Sequence, residues 1–318
     1  MLNQIATDPL DEHWPNLFVP GAGKSGTSSL HAYLDLHPLI AMSKEKEPSF
    51  FTDTKGITKR KKYYLDLFKS NKKVLHRGES STGYMSSPAA IKNIKAYVTK
   101  PNFIFILRNP IDRAFSHFRW MTSLGYEKQG FEEAINSDIS GTKHTKTSVA
   151  FGSKHYYQEG LYAKWISKYV NAFGKQNIHI ITSERLRETP LHTLNSCFHF
   201  LGIDALSDLQ PINLNPTSGR KASRRYRLTD YLLFGKHLVP IKRAYSAILP
   251  GRIRIFIRQK MSALQKHIIN TDFHNDDKEM YPVLSQSQRD WLKDLYAEEV
   301  NNLKGMTGNE YQEWPDFN

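Results

Sequence analysis

Five consecutive apolar residues, Phe103-Ile104-Phe105-Ile106-Leu107, end at the polar break Arg108-Asn109-Pro110. A run this short, with no alternation, fits a strand buried on both faces, as in a parallel sheet covered by helices. Leu17-Phe18-Val19, which runs into Pro20-Gly21, reads as a second buried strand, and so do Ile40-Ala41-Met42 and Ile178 to Ile181; Val74-Leu75 is a weak one. Between them, helices are expected over about 28–36, 59–69, 111–124, 161–173 and 190–200. The first stops before His37-Pro38, because a residue preceding proline disfavours helix. The second carries Tyr63, Tyr64, Leu67 and Phe68 as its apolar face, and the last opens on Pro190, which suits a first helical position. Ser285-Gln286-Ser287-Gln288 reads as a capping box before a helix that presents Leu292, Leu295, Tyr296 and Leu303. Residues 136–155, rich in Ser, Thr, Gly, Lys and His, read as a mobile loop. Alternating strands and helices predict an α/β fold of three layers, a central parallel sheet flanked by helices, in one domain over 1–318.

Composition narrows the class. Of 318 residues, 39% are hydrophobic and 24% charged, which excludes a disordered chain. No run of about 18 apolar residues exists, so no membrane-spanning helix is expected. The first residues lack a basic start followed by an apolar core, so no signal peptide is expected, and a cytoplasmic location follows. The single cysteine, Cys197, rules out a disulfide framework or a cysteine metal site and reads as a core thiol. The net charge of +13 attracts polyanions: nucleic acid, anionic lipid or an anionic substrate.

Ligands of such sheets bind beyond the carboxyl ends of the strands. After Val19 comes Gly21-Ala22-Gly23-Lys24-Ser25-Gly26-Thr27-Ser28-Ser29. Glycines admit a ligand close to the backbone, the helix start offers N–H groups, and Lys24 adds a charge, so this is a phosphate cradle. A triphosphatase loop of the form G-x-x-x-x-G-K-[ST] would need glycine at Phe18, and the pattern fails. Such enzymes also hold Mg²⁺ with an Asp after a later strand. The run Phe103–Leu107 ends instead in Arg108, which suits an anion. Arg108, with Ser116 two turns into the following helix, forms a second anion site. Two such sites on neighbouring strand ends imply a ligand with phosphates at both ends.

Lys24-Ser25-Gly26-Thr27-Ser28 and Arg108-Asn109-Pro110 through Arg113-Ala114-Phe115-Ser116 together resemble the two nucleotide motifs of sulfotransferases that use 3'-phosphoadenosine-5'-phosphosulfate (PAPS). The likeness is to the bacterial and heparan-sulfate-modifying type. Gly78-Glu79-Ser80-Ser81, Gly160-Leu161-Tyr162-Ala163, Phe200-Leu201-Gly202 and the tail to Trp314 extend it. The resemblance implies a P-loop-like fold and transfer of a sulfonyl group to a hydroxyl or amine, leaving 3'-phosphoadenosine-5'-phosphate (PAP). It places Lys24 at the transferring group and Gly23, Ser25, Gly26, Thr27 and Ser28 around the 5'-phosphate. Arg108 and Ser116 fall to the 3'-phosphate, and no metal is implied.

Glu47-Pro48-Ser49-Phe50-Phe51 resembles the family's E-x-x-F-F element, whose Glu is the general base; Glu45 is the alternative. One departure stands out. Heparan-type members often carry a second lysine after the Glu corresponding to Glu79, and here that position is Ser80. Arg220 and Lys221, in Asn215–Lys221, are candidate phosphate contacts from a basic loop. The segment at about 222–280 mixes arginines and lysines with Ile253, Ile255, Phe256 and Ile257. It reads as a lid, an acidic-glycan groove or a membrane-surface helix. The expected acceptor is a glycan or glycolipid, with possible peripheral contact to a membrane and no nucleic acid as partner. The competing functions are a P-loop kinase or triphosphatase and a non-catalytic polyanion binder.

Overall fold

The computed structural model describes residues 14–52, 57–68, 73–141, 154–209 and 282–318. Arg220, Lys221 and the segment at about 222–280 lie outside the described residues. The chain divides into two compact units. One comprises residues 1–114, 159–214 and 289–318; the other comprises 115–158 and 215–288.

The first unit holds a five-stranded sheet in the order β2-β3-β1-β4-β5. The strands are β1 (Leu17–Val19), β2 (Ile40–Met42), β3 (His76–Ser80), β4 (Asn102–Leu107) and β5 (Ile178–Thr182), and every pairing is parallel. Helices α1 (Thr27–Asp35), α2 (Ile57–Asp66), α3 (Pro88–Tyr97) and the start of α4 (Pro110–Ser123) follow the first four strands in chain order. The unit is completed by α6 (Tyr162–Phe173), α7 (Ser183–Glu188), α8 (Pro190–Phe200) and most of α9 (Gln286–Thr307). The α/β fold expected from the sequence, a parallel sheet between helices, is the one found.

Strand alternation gives the two sheet faces different chemistry. Leu17, Val19, Ile104 and Ile106 share one face with Leu30 and Leu34 of α1 and with Leu194, Cys197 and Phe198 of α8, an aliphatic core. Cys197 is buried there, as expected of a core thiol. Phe18, Phe103 and Phe105 point the other way into an aromatic layer. Phe18 lies 5.6 Å from Phe103 and 5.9 Å from Phe51, and Tyr169 packs edge-on against Phe103 and Phe105.

Two expectations need correction. The strand expected at Val74-Leu75 begins instead at His76. Its sequence, HRGES, carries no apolar run; it is a strand because β1 and β2 pair with it on both sides. The loop expected over 136–155 begins with helix, because α5 (Phe131–Ile139) runs through its first residues. In the second unit the buried Asp138 at the end of α5 accepts from the backbone N–H groups of Tyr157 and Gln158 at 2.7 and 2.9 Å and lies 2.9 Å from His155 Nδ1. Buried Glu127 does similar work, accepting from Tyr156 Oη at 2.7 Å and from Lys154 Nζ at 3.1 Å. The capping box is present in both directions: Gln288 N–H donates to Ser285 Oγ at 3.2 Å, and Ser285 N–H donates to Gln288 Oε1 at 3.1 Å. Among the described residues no helix is long and apolar enough to cross a membrane.

The central strand sets stability. Ile106 is fully buried in the aliphatic core. Ile106→Ala is expected to cost about 2–5 kcal/mol in urea unfolding, the range for a buried aliphatic side chain cut to Ala.

Candidate functional site

Parallel pairing places the carboxyl ends of β1 and β4 side by side, with Leu17 opposite Asn102 and Phe18 opposite Phe103. The loop after β1 and the loop after β4 therefore leave the sheet together. Ala22 N–H donates to Ile106 O and Ile106 N–H to Gly21 O, at 2.7 and 2.9 Å, extending the pairing into the first loop. Lys24 adopts a left-handed backbone, φ 70°, and Gly26 follows at φ 93°. Such angles cost free energy in a non-glycine residue and persist where surrounding contacts over-determine them. Gly26 is the N-cap of α1 and makes no side-chain cap. The first-turn N–H groups of α1 have no partner within the helix, and the chain brings no carboxylate or hydroxyl cap to them from Gly26.

Arg108 Nη1 lies 3.4 Å from the carbonyl oxygen of Lys24, so Arg108 of the expected second anion site meets the first loop. Burial, then the charges of Arg108 and Lys46, lowers the Lys24 pKa to about 8. The Arg108 backbone is fixed by Tyr162 Oη, which donates to its carbonyl at 2.8 Å. Next to it, Asn109 N–H donates to Glu184 at 3.1 Å, Asn109 Nδ2 donates to Asp316 at 2.6 Å, and Asn109 Oδ1 accepts from Ile111 N–H at 3.0 Å. Asp112, the obvious acid for Arg108 to pair with, is held by Arg289 at 2.5 Å. Arg289 also grips Asp316 at 2.6 Å, so the C-terminal segment braces this loop. Ser116 sits half-buried on α4 within the second unit.

Glu47 stands across the first loop. A Cβ on Gly23 would lie 3.9 Å from Thr82 Cβ. Thr82 in turn donates to Glu47 twice, through its N–H at 2.8 Å and its hydroxyl at 3.1 Å. Lys46 Nζ donates to the same carboxylate at 2.8 Å. Glu45, the alternative acid, instead accepts from Tyr63 Oη at 2.5 Å. Ser80, where the resemblance implied a lysine, lies 3.0 Å from His31 Nδ1. Burial, then Lys46, lowers the His31 pKa.

Sequence reasoning missed Lys46, His31 and Thr82, and gave Tyr162 no role beyond its place in a family-like segment. The Lys-Glu-Lys-Glu alternation around Lys46 reads as a solvated run, and nothing local marks the others. Among the described residues no cluster of three or more His, Cys, Asp or Glu is placed to hold a metal ion. The assembled groups gather cations and N–H donors at one sheet edge, with the exposed Glu47 carboxylate beside them and Glu159, paired with Arg113, near Gly23. That arrangement suits an anionic ligand.

A family model described as a sulfotransferase domain matches residues 15–233. Two curated relatives are bifunctional heparan sulfate N-deacetylase/N-sulfotransferases. The Caenorhabditis briggsae protein 1 is 25% identical over 217 residues, covering 64% of this chain and 24% of the relative. The mouse protein 3 is 29% identical over 199 residues, covering 59% and 22%. The chain thus spans about a quarter of the length of these relatives. Among solved structures, a sulfotransferase from Alicyclobacillus acidocaldarius superposes with a TM-score of 0.63 at 22% identity, covering 95% of this chain and 99% of that one, a likeness of fold.

Burial of Lys24 beside other cations has a pH signature. A lysine whose folded pKa is lowered gives a stability contribution that is present above its unfolded pKa of 10.5 and lost as pH falls through about 8. Without ligand, Lys24→Met is therefore expected to be more stable than the wild type at pH 7, by about 1–3 kcal/mol. Urea titrations should show that gap narrowing between pH 8 and 10.5; a constant gap would remove the charge explanation.

Proposed function

Since the chain belongs to the PAPS-dependent sulfotransferase family, we propose that it transfers a sulfonyl group from PAPS to an amine or hydroxyl of an anionic glycan, with Glu47 as general base. The observation that carries this reading is the meeting of Arg108 with the Lys24 backbone at adjacent strand ends, 3.4 Å apart. The curated relatives named above, acting on heparan sulfate, support the glycan.

When bound, PAPS supplies a sulfonyl group on a good leaving group: the acceptor–sulfur bond forms as the bond from sulfur to the phosphate oxygen breaks. The loop from Gly23 through Ser25, Gly26, Thr27 and Ser28 would hold the 5'-phosphate with N–H and hydroxyl donors at the uncapped start of α1. Arg108 would fork onto the 3'-phosphate. Lys24, protonated at neutral pH, would stabilise charge building on the departing phosphate oxygen. Glu47 would take the acceptor's proton as the new bond forms. Lys46, already on the Glu47 carboxylate, is proposed as the second cation that Ser80 does not provide. The same two cations hinder acceptors that arrive with positive charge and favour anionic ones.

PAP is expected to raise the melting temperature in the presence of a chelator. Lys24→Ala and Arg108→Ala should each shrink that shift, and its absence at saturating PAP would sink the nucleotide reading. Glu47→Gln should preserve the shift while lowering turnover of labelled PAPS by about 10²–10⁴-fold, the usual worth of a positioned base. Assayed on unsulfated glycosaminoglycans with free or acetylated amines and on glycolipids, incorporated label should appear on a glycosaminoglycan. Label on glycolipid alone would overturn the glycan assignment.

A further inference from the structure

A carboxylate buried in the aromatic layer lies behind the site. Glu79 pairs with Phe18 in the β1–β3 register, so its side chain enters the aromatic face, where it is 0% exposed. Its oxygens accept from three hydroxyls: Tyr64 Oη, Tyr84 Oη at 2.9 Å and Ser81 Oγ at 2.6 Å. Two of these hydroxyls pass the polarity on. Ser81 Oγ accepts from Ser49 N–H at 3.0 Å, and Tyr84 Oη accepts from Phe51 N–H at 3.1 Å. The segment gripped in this way follows Glu47 directly. It carries two non-glycine residues with left-handed backbones, Glu47 at φ 60° and Ser49 at φ 48°. Glu47 N–H itself donates to Ser80 O, the residue after Glu79, at 2.9 Å.

We propose that Glu79 is a positioning residue for sulfonyl transfer, holding the 47–51 segment through Ser81 and Tyr84 so that the Glu47 carboxylate faces the site. The idea rests on the reading of Glu47 as the base. Above about pH 7, the value to which burial raises its pKa, Glu79 is ionised, and an ionised carboxylate is the one kind of side-chain group that accepts from all three hydroxyls at once. Each hydroxyl is thereby fixed as a donor toward Glu79, and those of Ser81 and Tyr84 present their lone pairs to backbone N–H groups. An amide in its place has one accepting oxygen, and its NH₂ group must donate, so one hydroxyl loses its acceptor and can turn away from its N–H. A strained segment with fewer restraints relaxes. A nonpolar core under the sheet would have served stability equally well, since replacing a buried polar set by well-packed apolar groups is often neutral.

The test compares Glu79→Gln, Ser81→Ala, Glu47→Gln and the double variant Glu47→Gln/Glu79→Gln. It reads sulfonyl transfer from labelled PAPS to water and to the glycosaminoglycan panel, the PAP-induced melting shift, and amide hydrogen exchange of peptides covering 44–52. Glu79→Gln should lower kcat about 10–100-fold with KM for PAPS and the PAP shift held within about twofold, and should speed exchange at 44–52. Ser81→Ala, which leaves the buried carboxylate in place, should do the same more weakly and covers the case in which Glu79→Gln does not fold. Where Glu79 acts through Glu47, the double variant falls no further than Glu47→Gln alone. A double variant that falls by the product of the two losses would overturn the proposal. So would unchanged kcat and unchanged exchange at 44–52 in folded Glu79→Gln and Ser81→Ala. Full activity in Glu47→Gln would instead overturn the base assignment; faster exchange at 44–52 would then still show that Glu79 holds the segment.

Discussion

The parallel pairing of β1 with β4 is the constraint on which the site depends. It makes two loops, separated by more than eighty residues in the chain, leave the sheet at one edge and sets the Arg108 guanidinium on the Lys24 carbonyl. Burial of the Lys24 ammonium, and after it repulsion from Arg108 and Lys46, lowers the Lys24 pKa. The sheet tolerates this repulsion because both strands are buried along their whole apolar length. The second loop is also pinned by neutral and anionic partners that do not quench its charge. Tyr162 and Glu184 take the backbone, Asp316 takes Asn109, and Asp112 is diverted to Arg289. Asp112, Asp316 and Glu184 are thus engaged by other groups, which under the proposed function leaves the Arg108 charge for a bound anion.

Much of the fold could be read from the sequence where burial is written as apolarity. The strands at Leu17–Val19, Ile40–Met42, Phe103–Leu107 and Ile178–Ile181 and the helices α1, α4, α6 and α8 lie within a residue or two of their expected places; α2 ends three residues early, and α7 was not expected. β3 escaped because HRGES has no apolar signature; its burial depends on hydroxyls from Tyr64 and Tyr84, which no local window pairs with Glu79. The first residues of the expected 136–155 loop proved helical for a related reason. The last turn of α5 is polar, and Asp138 is turned inward to hold the returning chain. Motif spacing located Lys24 and Arg108, and the fold joined them. It could not show that Glu45 bonds Tyr63 while Glu47 meets Thr82 and Lys46, because adjacent carboxylates in an alternating charge run differ only by the local turn of the backbone.

The unequal faces of the sheet explain how two glutamates so near each other take different parts. On the aliphatic side α1 packs Leu30 and Leu34, and a carboxylate there would have no donors. On the aromatic side phenols supply hydroxyls within an otherwise apolar layer, so Glu79 can be buried with its oxygens satisfied. Burial raises its pKa to about 7, against hydrogen bonds from Ser81, Tyr64 and Tyr84 that pull it down. Glu47, on the segment that Glu79 secures, keeps its carboxylate at the surface among groups that can exchange partners when a ligand arrives. The base proposed for Glu47 must reach solvent and acceptor alike, whereas the anchor proposed for Glu79 must not. Opposite environments on neighbouring segments give one carboxylate the freedom to change partners and deny it to the other.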